Sequence, residues 1–200
     1  LTNGNRAMLE TMFPDKFDYV RSPENQDYIY TSRDLATLAG KRFHAKRNHI
    51  SKFYRTYTDT RFETLSDSNI PDALTVAKLW CAENDTDPEA SSEITAIREM
   101  CDLKDEYNVK GAVLYVDSKP VAMTLGSEIS PKVYDINFEK ALREYDGVYA
   151  VINNEFAKTL TQYEYINREE DMGLEGLKKS KLSYNPVIIL DRWNAIPKKR

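Results

Sequence analysis

The chain has 200 residues, with 28 Lys and Arg against 32 Asp and Glu, a formal net charge of −4 and 41% hydrophobic residues. That length fits one domain or two small ones and buries roughly 70% of the unfolded surface without disulfide or metal staples. The charge balance excludes a globally basic nucleic-acid binder, no apolar run reaches the length of a membrane-spanning helix, and no signal-peptide pattern is present.

In chain order, a short helix is expected over residues 6–12, broken by Pro14. Residues 18–30 read as extended, with Pro23-Glu24-Asn25 as a turn. Ser32 can cap a helix through Leu38 and Ala39 that closes at Gly40. A second helix follows over 42–57, with Phe43, Ile50, Phe53, Tyr54 and Tyr57 on one side. From residue 35 to 58 there is no acid, but there are six cations: Lys41, Arg42, Lys46, Arg47, Lys52 and Arg55. Such a face either steers an anion, such as a phosphate, a tRNA backbone or an anionic lipid headgroup, or is simply solvated. His44 and His49, the only histidines, are five apart rather than the three or four that pairs ligands on one helix face, so no metal site is expected.

A strand is expected over 61–65. Asp67 or Ser68 then opens a helix with Pro71 in its first turn and Ile70, Leu74, Ala77, Trp80 and Cys81 as its apolar stripe. After a loop at 84–88, a helix over 89–107 turns Ile94, Ile97, Cys101 and Leu103 inward. Cys81 and Cys101, the only cysteines, read as buried thiols in a reducing, cytoplasmic compartment. A hairpin joins 112–116 to 121–127 across residues 117–120, its first arm covered on both faces. The next strand, 133–139, alternates Tyr134, Ile136 and Phe138 against Asp135, Asn137 and Glu139. Asp146 can cap a helix over 147–161 with the stripe Val148, Ile152, Phe156 and Leu160. A strand over 163–167, a short basic helix, a last strand over 186–193 and a frayed tail from Pro197 complete the chain.

The stretch 166–186, INREEDMGLEGLKKSKLSYNP, concentrates chemistry. Arg168, Glu169, Glu170 and Asp171 precede Gly173 and Gly176, and Lys178, Lys179 and Lys181 follow, stopped by Tyr184-Asn185-Pro186. Carboxylates at a strand end suit amine binding or proton abstraction, and lysines beyond them suit phosphates. Acids before a helix and lysines late in it also suit its dipole, each by about 0.3–1 kcal/mol, with no ligand required.

The element order defines an α/β fold, a mixed central sheet with flanking helices. It is similar to the order in the GCN5-related N-acyltransferase (GNAT) fold. There a helix starts beside the acyl donor and the next strand splays away to open a cleft. By that likeness Phe138, Gly147 and Asn167 line the cleft. Three motifs, LATLAGKRFHAKRNHISKF (35–53), VLYVDSKPVAMTLGSEI (113–129) and the 166–186 stretch, resemble the phosphatidylglycerol lysyltransferase C-terminal-domain-like family. The resemblance implies a tandem pair of acyltransferase-like halves. Residues 60–200 would be the second half, and residues 1–59 a remnant of the first with a linking strand and the basic helix, the rest of the first half being missing. It implies aminoacyl transfer from an aminoacyl-tRNA-type donor to a lipid headgroup or peptide. Asp171 and Glu170 would then hold or deprotonate the amine and Tyr184 protonate the leaving hydroxyl. Lys46, Arg47, Asn48, Arg168, Lys178, Lys179 and Lys181 would hold phosphates. No bound cofactor is implied, only an aminoacyl-tRNA or acyl-CoA co-substrate. CoA-dependent members carry a glycine-rich loop where this chain reads Arg143-Glu144-Tyr145-Asp146-Gly147, with one glycine and two acids, so a conventional CoA site is not expected. A non-catalytic anion-binding module and an atypical CoA-dependent acetyltransferase are the alternatives.

Overall fold

The computed structural model describes residues 1–84, 87 and 91–199. Helix α1 spans Asn3–Met12, its N-terminus capped by the Thr2 hydroxyl, which accepts from Asn5 N. Strands β1 (Phe17–Arg21) and β2 (Asp27–Thr31) flank a 3-10 turn at Pro23–Asn25. Helix α2 (Ser32–Thr37) is capped by Thr31 rather than Ser32, because Thr31 Oγ1 lies 3.1 Å from Asp34 N. It closes at Leu38, left-handed at φ 47°, two residues earlier than the glycine at 40 suggested. A 3-10 turn at Lys41–Phe43 leads into α3 (His44–Thr56). Phe43 and Phe53 are fully buried there, whereas Tyr54 stays exposed.

After β3 (Thr60–Thr64), α4 (Ile70–Glu83) begins at Asn69, not at Asp67 or Ser68. The Asn69 side chain points back to brace the entry, accepting from Ser66 N and donating to Thr64 O. Helix α5 runs Ser92–Asp102. The start expected at Glu89 lies outside the described residues. The end expected at Tyr107 is too late: the chain turns from Leu103 onward and Leu103 faces solvent. Strands β4 (Lys110–Val116) and β5 (Lys119–Ser130) are joined by two residues, Asp117 and Ser118, at φ 48° and 64°. Positive φ at both positions matches the twist of a tight hairpin, so Lys119 and Pro120 pair in β5 instead of looping. Then come β6 (Val133–Ala141), α6 (Val148–Lys158), β7 (Tyr165–Asn167) and α7 (Glu175–Leu182). The single last strand expected over 186–193 is two, β8 (Ile188–Leu190) and β9 (Trp193–Pro197). Asp191 turns to the Arg21 guanidinium and Arg192 to the Asp27 carboxylate, which breaks the strand between them.

The chain forms two compact units: the continuous segment Thr31–Ile166, and Leu1–Tyr30 together with Asn167–Arg200. The division expected at 59/60 concerned descent from a tandem pair, a separate matter from these contact-defined units.

In Thr31–Ile166, β3, β4, β5 and β6 form an antiparallel meander. One face of β4 and β5, with Val113, Tyr115, Met123 and Leu125, packs on Ala73, Val76 and Ala77 of α4 and Ile94, Ile97 and Cys101 of α5. The other face meets α6, where Tyr134 lies against Phe156 with ring centroids 6.2 Å apart. Val148, Ile152, Phe156 and Leu160 are all buried, as their spacing predicts. Each large side chain so buried contributes about 1.5–3 kcal/mol.

The alternation expected in β6 fails halfway. Gly126 pairs with Ile136 but Leu125 pairs with Phe138, so the β6 strand carries one extra residue. This bulge reverses the faces beyond it. Phe138 joins the α4–α5 core. Glu139 turns to the α6 side, where its Oε2 accepts from Asn153 Nδ2 at 3.1 Å.

In the other unit, β1 pairs antiparallel with β9, and β2 with β8. The Arg6 guanidinium of α1 lies 4.2 Å from the Trp193 ring and 5.1 Å from that of Tyr19, which fixes the helix against the ribbon. The tail expected to fray is held as far as Lys198, whose ammonium pairs with Asp15.

Candidate functional site

The 166–186 stretch folds around β2. Beyond β7 the backbone takes three left-handed residues in five: Glu169 at φ 55°, Met172 at 52° and Gly173 at 72°. Non-glycine residues there cost about 1–3 kcal/mol each unless the surroundings hold them. Tyr28 N donates to Glu169 O at 3.1 Å and Arg168 N to Tyr28 O at 3.0 Å. The Lys181 ammonium donates to Arg168 O and, at 3.2 Å, to Glu169 O. Asp171 secures the rest: its Oδ1 accepts from Gly173 N at 2.9 Å and its carbonyl from Leu174 N at 2.9 Å, leading the chain into α7.

The second oxygen of Asp171, Oδ2, accepts from Tyr28 Oη at 2.5 Å. Tyr28 and Asp171 are each 2% exposed. Burial, and then the Asp171 carboxylate, push the Tyr28 phenol up to about 12. Around this pair, Tyr184 is buried with its ring edge-on to Tyr30, centroids 6.4 Å apart, and the Arg168 guanidinium lies 4.9 Å from the Tyr184 ring. Tyr30 Oη donates to Lys181 O at 2.9 Å. Asn167 is buried too, accepting from Glu169 N at 3.1 Å and lying 3.4 Å from Asp27 Oδ2. The result is a shell of carboxylate, phenol, ammonium and guanidinium in contact with one strained turn.

The sequence-derived residues are thus partly gathered. Asp171, Tyr184, Arg168, Lys181 and Asn167 share this shell, and Glu170 is half-buried beside it. Lys178 and Lys179 are exposed on α7, while Lys181 of the same helix points inward. Tyr28 went unnoticed in sequence. The signal was there: Tyr28 and Tyr30 are two apart, on one face of a strand.

In Thr31–Ile166, the acid-free run finds its partners in space. The Arg47 guanidinium donates to Leu38 O and, at 2.8 Å, to Gly40 O. Arg42 meets Asp34 at 2.7 Å and Lys52 meets Asp146 at 2.5 Å. Lys46 is half-buried and engaged, and exposed Asn48 lies 3.2 Å from the His44 ring nitrogen. Gly147 precedes α6 in a left-handed conformation, φ 87°, and Asp146 does not cap it. Lys52 takes that carboxylate and holds it below its usual range. A Cβ on Gly147 would sit 2.9 Å from His49 O of α3, so glycine permits that close approach. Cys81 and Cys101 are buried free thiols, and burial raises Cys101 to about 11. Among the described residues no helix is long and apolar enough to cross a membrane.

These features have a family context. The model of the family described as phosphatidylglycerol lysyltransferase, C-terminal, matches residues 6–196, and the chain belongs to that family. A crystal structure of a conserved protein of unknown function from Bacteroides thetaiotaomicron is 40% identical, with a TM-score of 0.90, covering 98% of this chain and 68% of that one. L-PGS from Bacillus licheniformis shares the fold at 14% identity and a TM-score of 0.70, covering 100% of this chain and 66% of that one. A tandem GNAT protein from the clavulanic acid biosynthesis pathway does so at 9% identity and 0.53, covering 100% and 61%. The fold is therefore the GNAT-like acyltransferase α/β fold. The chain spans about half, 54%, of the length of the curated relative it matches.

Proposed function

We propose that the chain serves aminoacyl transfer, from an aminoacyl-tRNA-type ester to the amine or hydroxyl of a lipid headgroup or peptide. The observation that carries this choice of donor is the start of α6. In CoA-dependent members of the fold, bare amides at that helix N-terminus hold a diphosphate. Here the Asp146 carboxylate sits there, His49 O of α3 closes on Gly147, and Val148 N already donates to Tyr145 O at 3.1 Å. Lys52 balances the Asp146 carboxylate, but the His49 carbonyl oxygen over Gly147 and the engaged Val148 amide leave a diphosphate little to bind, which favours a donor that does not need this pocket.

An aminoacyl ester is already activated, so positioning and charge stabilisation suffice. The acceptor oxygen or nitrogen attacks the ester carbonyl, the ribose hydroxyl leaves, and the acceptor proton passes to it. Half-buried Glu170 is the acid assigned to the amine or the acceptor proton, Asp171, whose oxygens are taken by Tyr28 and Gly173 N, holds the turn that carries it, and Tyr184 is assigned as donor to the leaving hydroxyl. Exposed Lys178 and Lys179 are assigned to phosphates. The engagement of Arg42, Arg47 and Lys52 within the fold weighs against a module that merely holds anions on the α3 face.

The test combines stability and turnover. Aminoacyl-tRNA at about a hundred times its dissociation constant should stabilise the chain by about 2.7 kcal/mol. Radiolabelled aminoacyl groups should appear on phosphatidylglycerol vesicles or on a peptide amine. Stabilisation by CoA with none from aminoacyl-tRNA would reject the proposal, and binding of tRNA without transfer would leave only an anion-binding module.

A further inference from the structure

Helix α1 lies on the β1–β9 ribbon, yet none of its residues is fully buried. Arg6, Ala7 and Glu10 share one side of it by helical spacing and face the ribbon, while Met8 and Met12 turn to solvent. Across from them Phe17 and Tyr19, two apart on β1, project from one face with ring centroids 6.5 Å apart. Ala7 offers only a methyl group to this contact, and a cleft of about 610 Å³ remains, bordered by the Asp15–Lys198 pair. That volume lies within the range of small-molecule sites.

The charges lining the cleft are split. Arg6 is half-buried, 4.2 Å from the Trp193 ring and 5.1 Å from that of Tyr19, and its guanidinium makes no hydrogen bond or ion pair among the described residues. Glu10 stands four residues on, but the two do not pair: Glu10 Oε1 instead accepts from Asp15 N at 2.9 Å. Lys198 is held by Asp15, lies 3.9 Å from Asp18 and feels Glu10 least of the three acids. Burial, and then Glu10 beside it, raise the Tyr19 phenol, so this hydroxyl adds no charge. A simple anion entering the cleft meets Glu10 and Asp15, and a simple cation meets Arg6 and Lys198. A molecule carrying both charges is attracted at both ends. A guanidinium stacked on rings keeps its planar edge for a carboxylate, and the half-buried Phe17 ring is a surface for an apolar group. We infer that this cleft binds a zwitterionic amino acid, its carboxylate on Arg6, its ammonium on Glu10 and an apolar side chain against Phe17. None of these residues belongs to the shell around Asp171, and the site does not depend on the aminoacyl-transfer reading.

The experiment is calorimetric titration at neutral pH with L-phenylalanine, with 3-phenylpropionate, which lacks the ammonium, and with phenethylamine, which lacks the carboxylate. Phenylalanine should bind saturably and each analogue about tenfold more weakly or worse. Glu10→Gln keeps an acceptor for Asp15 N, so its Tm should hold while phenylalanine affinity falls about tenfold and 3-phenylpropionate binds no more weakly than before. Arg6→Lys keeps the positive charge without the planar fork, so it should weaken phenylalanine and 3-phenylpropionate together and leave phenethylamine unchanged. No saturable binding of phenylalanine, equal binding of the three compounds, or undiminished phenylalanine affinity in Glu10→Gln each overturns the site.

Discussion

Tyr28 Oη donates to Asp171 Oδ2 at 2.5 Å across 143 residues of chain, with both groups buried. Tyr28→Phe removes the donor and leaves a buried carboxylate oxygen short of a partner, which should cost about 1–3 kcal/mol. The pair also sets a pH dependence. Tyr28 ionises near 10 when unfolded and near 12 when folded. Its contribution is fully present below pH 10 and is lost as pH rises through the folded value, because the unfolded chain then holds fewer protons. Tyr54, Tyr115 and Tyr134 are raised too, so the wild type should lose stability steeply above pH 10. Tyr28→Phe should show a shallower fall between pH 10 and 12, by on the order of 2 kcal/mol, in urea unfolding curves. Parallel curves for the two proteins would remove Tyr28 from the account.

Arg47 is predicted to matter to folding before it matters to any ligand. Its guanidinium bridges Leu38 O and Gly40 O, and Leu38 is a non-glycine residue in the left-handed region. Arg47→Ala should therefore destabilise by about 1–3 kcal/mol. Arg47→Lys should restore only part of this, because a lysine cannot reproduce the planar fork. Lys41→Ala, an exposed change in the same basic run, should stay within about 0.5 kcal/mol of the wild type. Thermal unfolding of the three variants is the measurement, and a wild-type Tm for Arg47→Ala would return this residue to the surface as a free anion contact.

Gly40 and Gly147 share φ 87° but not their surroundings. A Cβ at Gly40 meets nothing within 4 Å, whereas one at Gly147 meets His49 O at 2.9 Å. Both alanine variants should lose about 1–2 kcal/mol to the left-handed backbone. Gly147→Ala should lose about 1–3 kcal/mol more, since a backbone oxygen has to give way. Equal losses would mean that α3 and α6 adjust to each other freely.

The helix stripes were legible because they repeat: Val148, Ile152, Phe156 and Leu160 announce one buried face. The doubly covered β4 was legible because its apolar run is continuous. Features set by single backbone geometries were not. Leu38 closes α2 because Arg47 binds the carbonyls around it, a tertiary effect no local propensity carries. Asp146 reads as a cap until Lys52, 94 residues earlier, takes its carboxylate. The β6 bulge inserts its extra residue without a glycine or proline in β6 itself; the glycine at the register shift, Gly126, lies across the ladder in β5, so the alternation of β6 alone puts Phe138 and Glu139 on the wrong faces. In the candidate site, the acids and lysines of 166–186 stood out by composition. Their inward and outward directions did not, because Lys181 is aimed by the left-handed turn at Glu169 rather than by the helix pattern.

The pairing of β1 with β9 imposes an order of events during synthesis. On the ribosome, Phe17–Arg21 emerges before Trp193–Pro197, its partner in the ladder, and waits for it. The segment Thr31–Ile166 holds its whole meander within itself and can condense while the rest is still being made. The exposed edge of β1 must therefore survive unpaired until Trp193–Pro197 has been made, a window in which a chaperone, rather than the native contacts, would keep it from annealing to a neighbouring nascent chain.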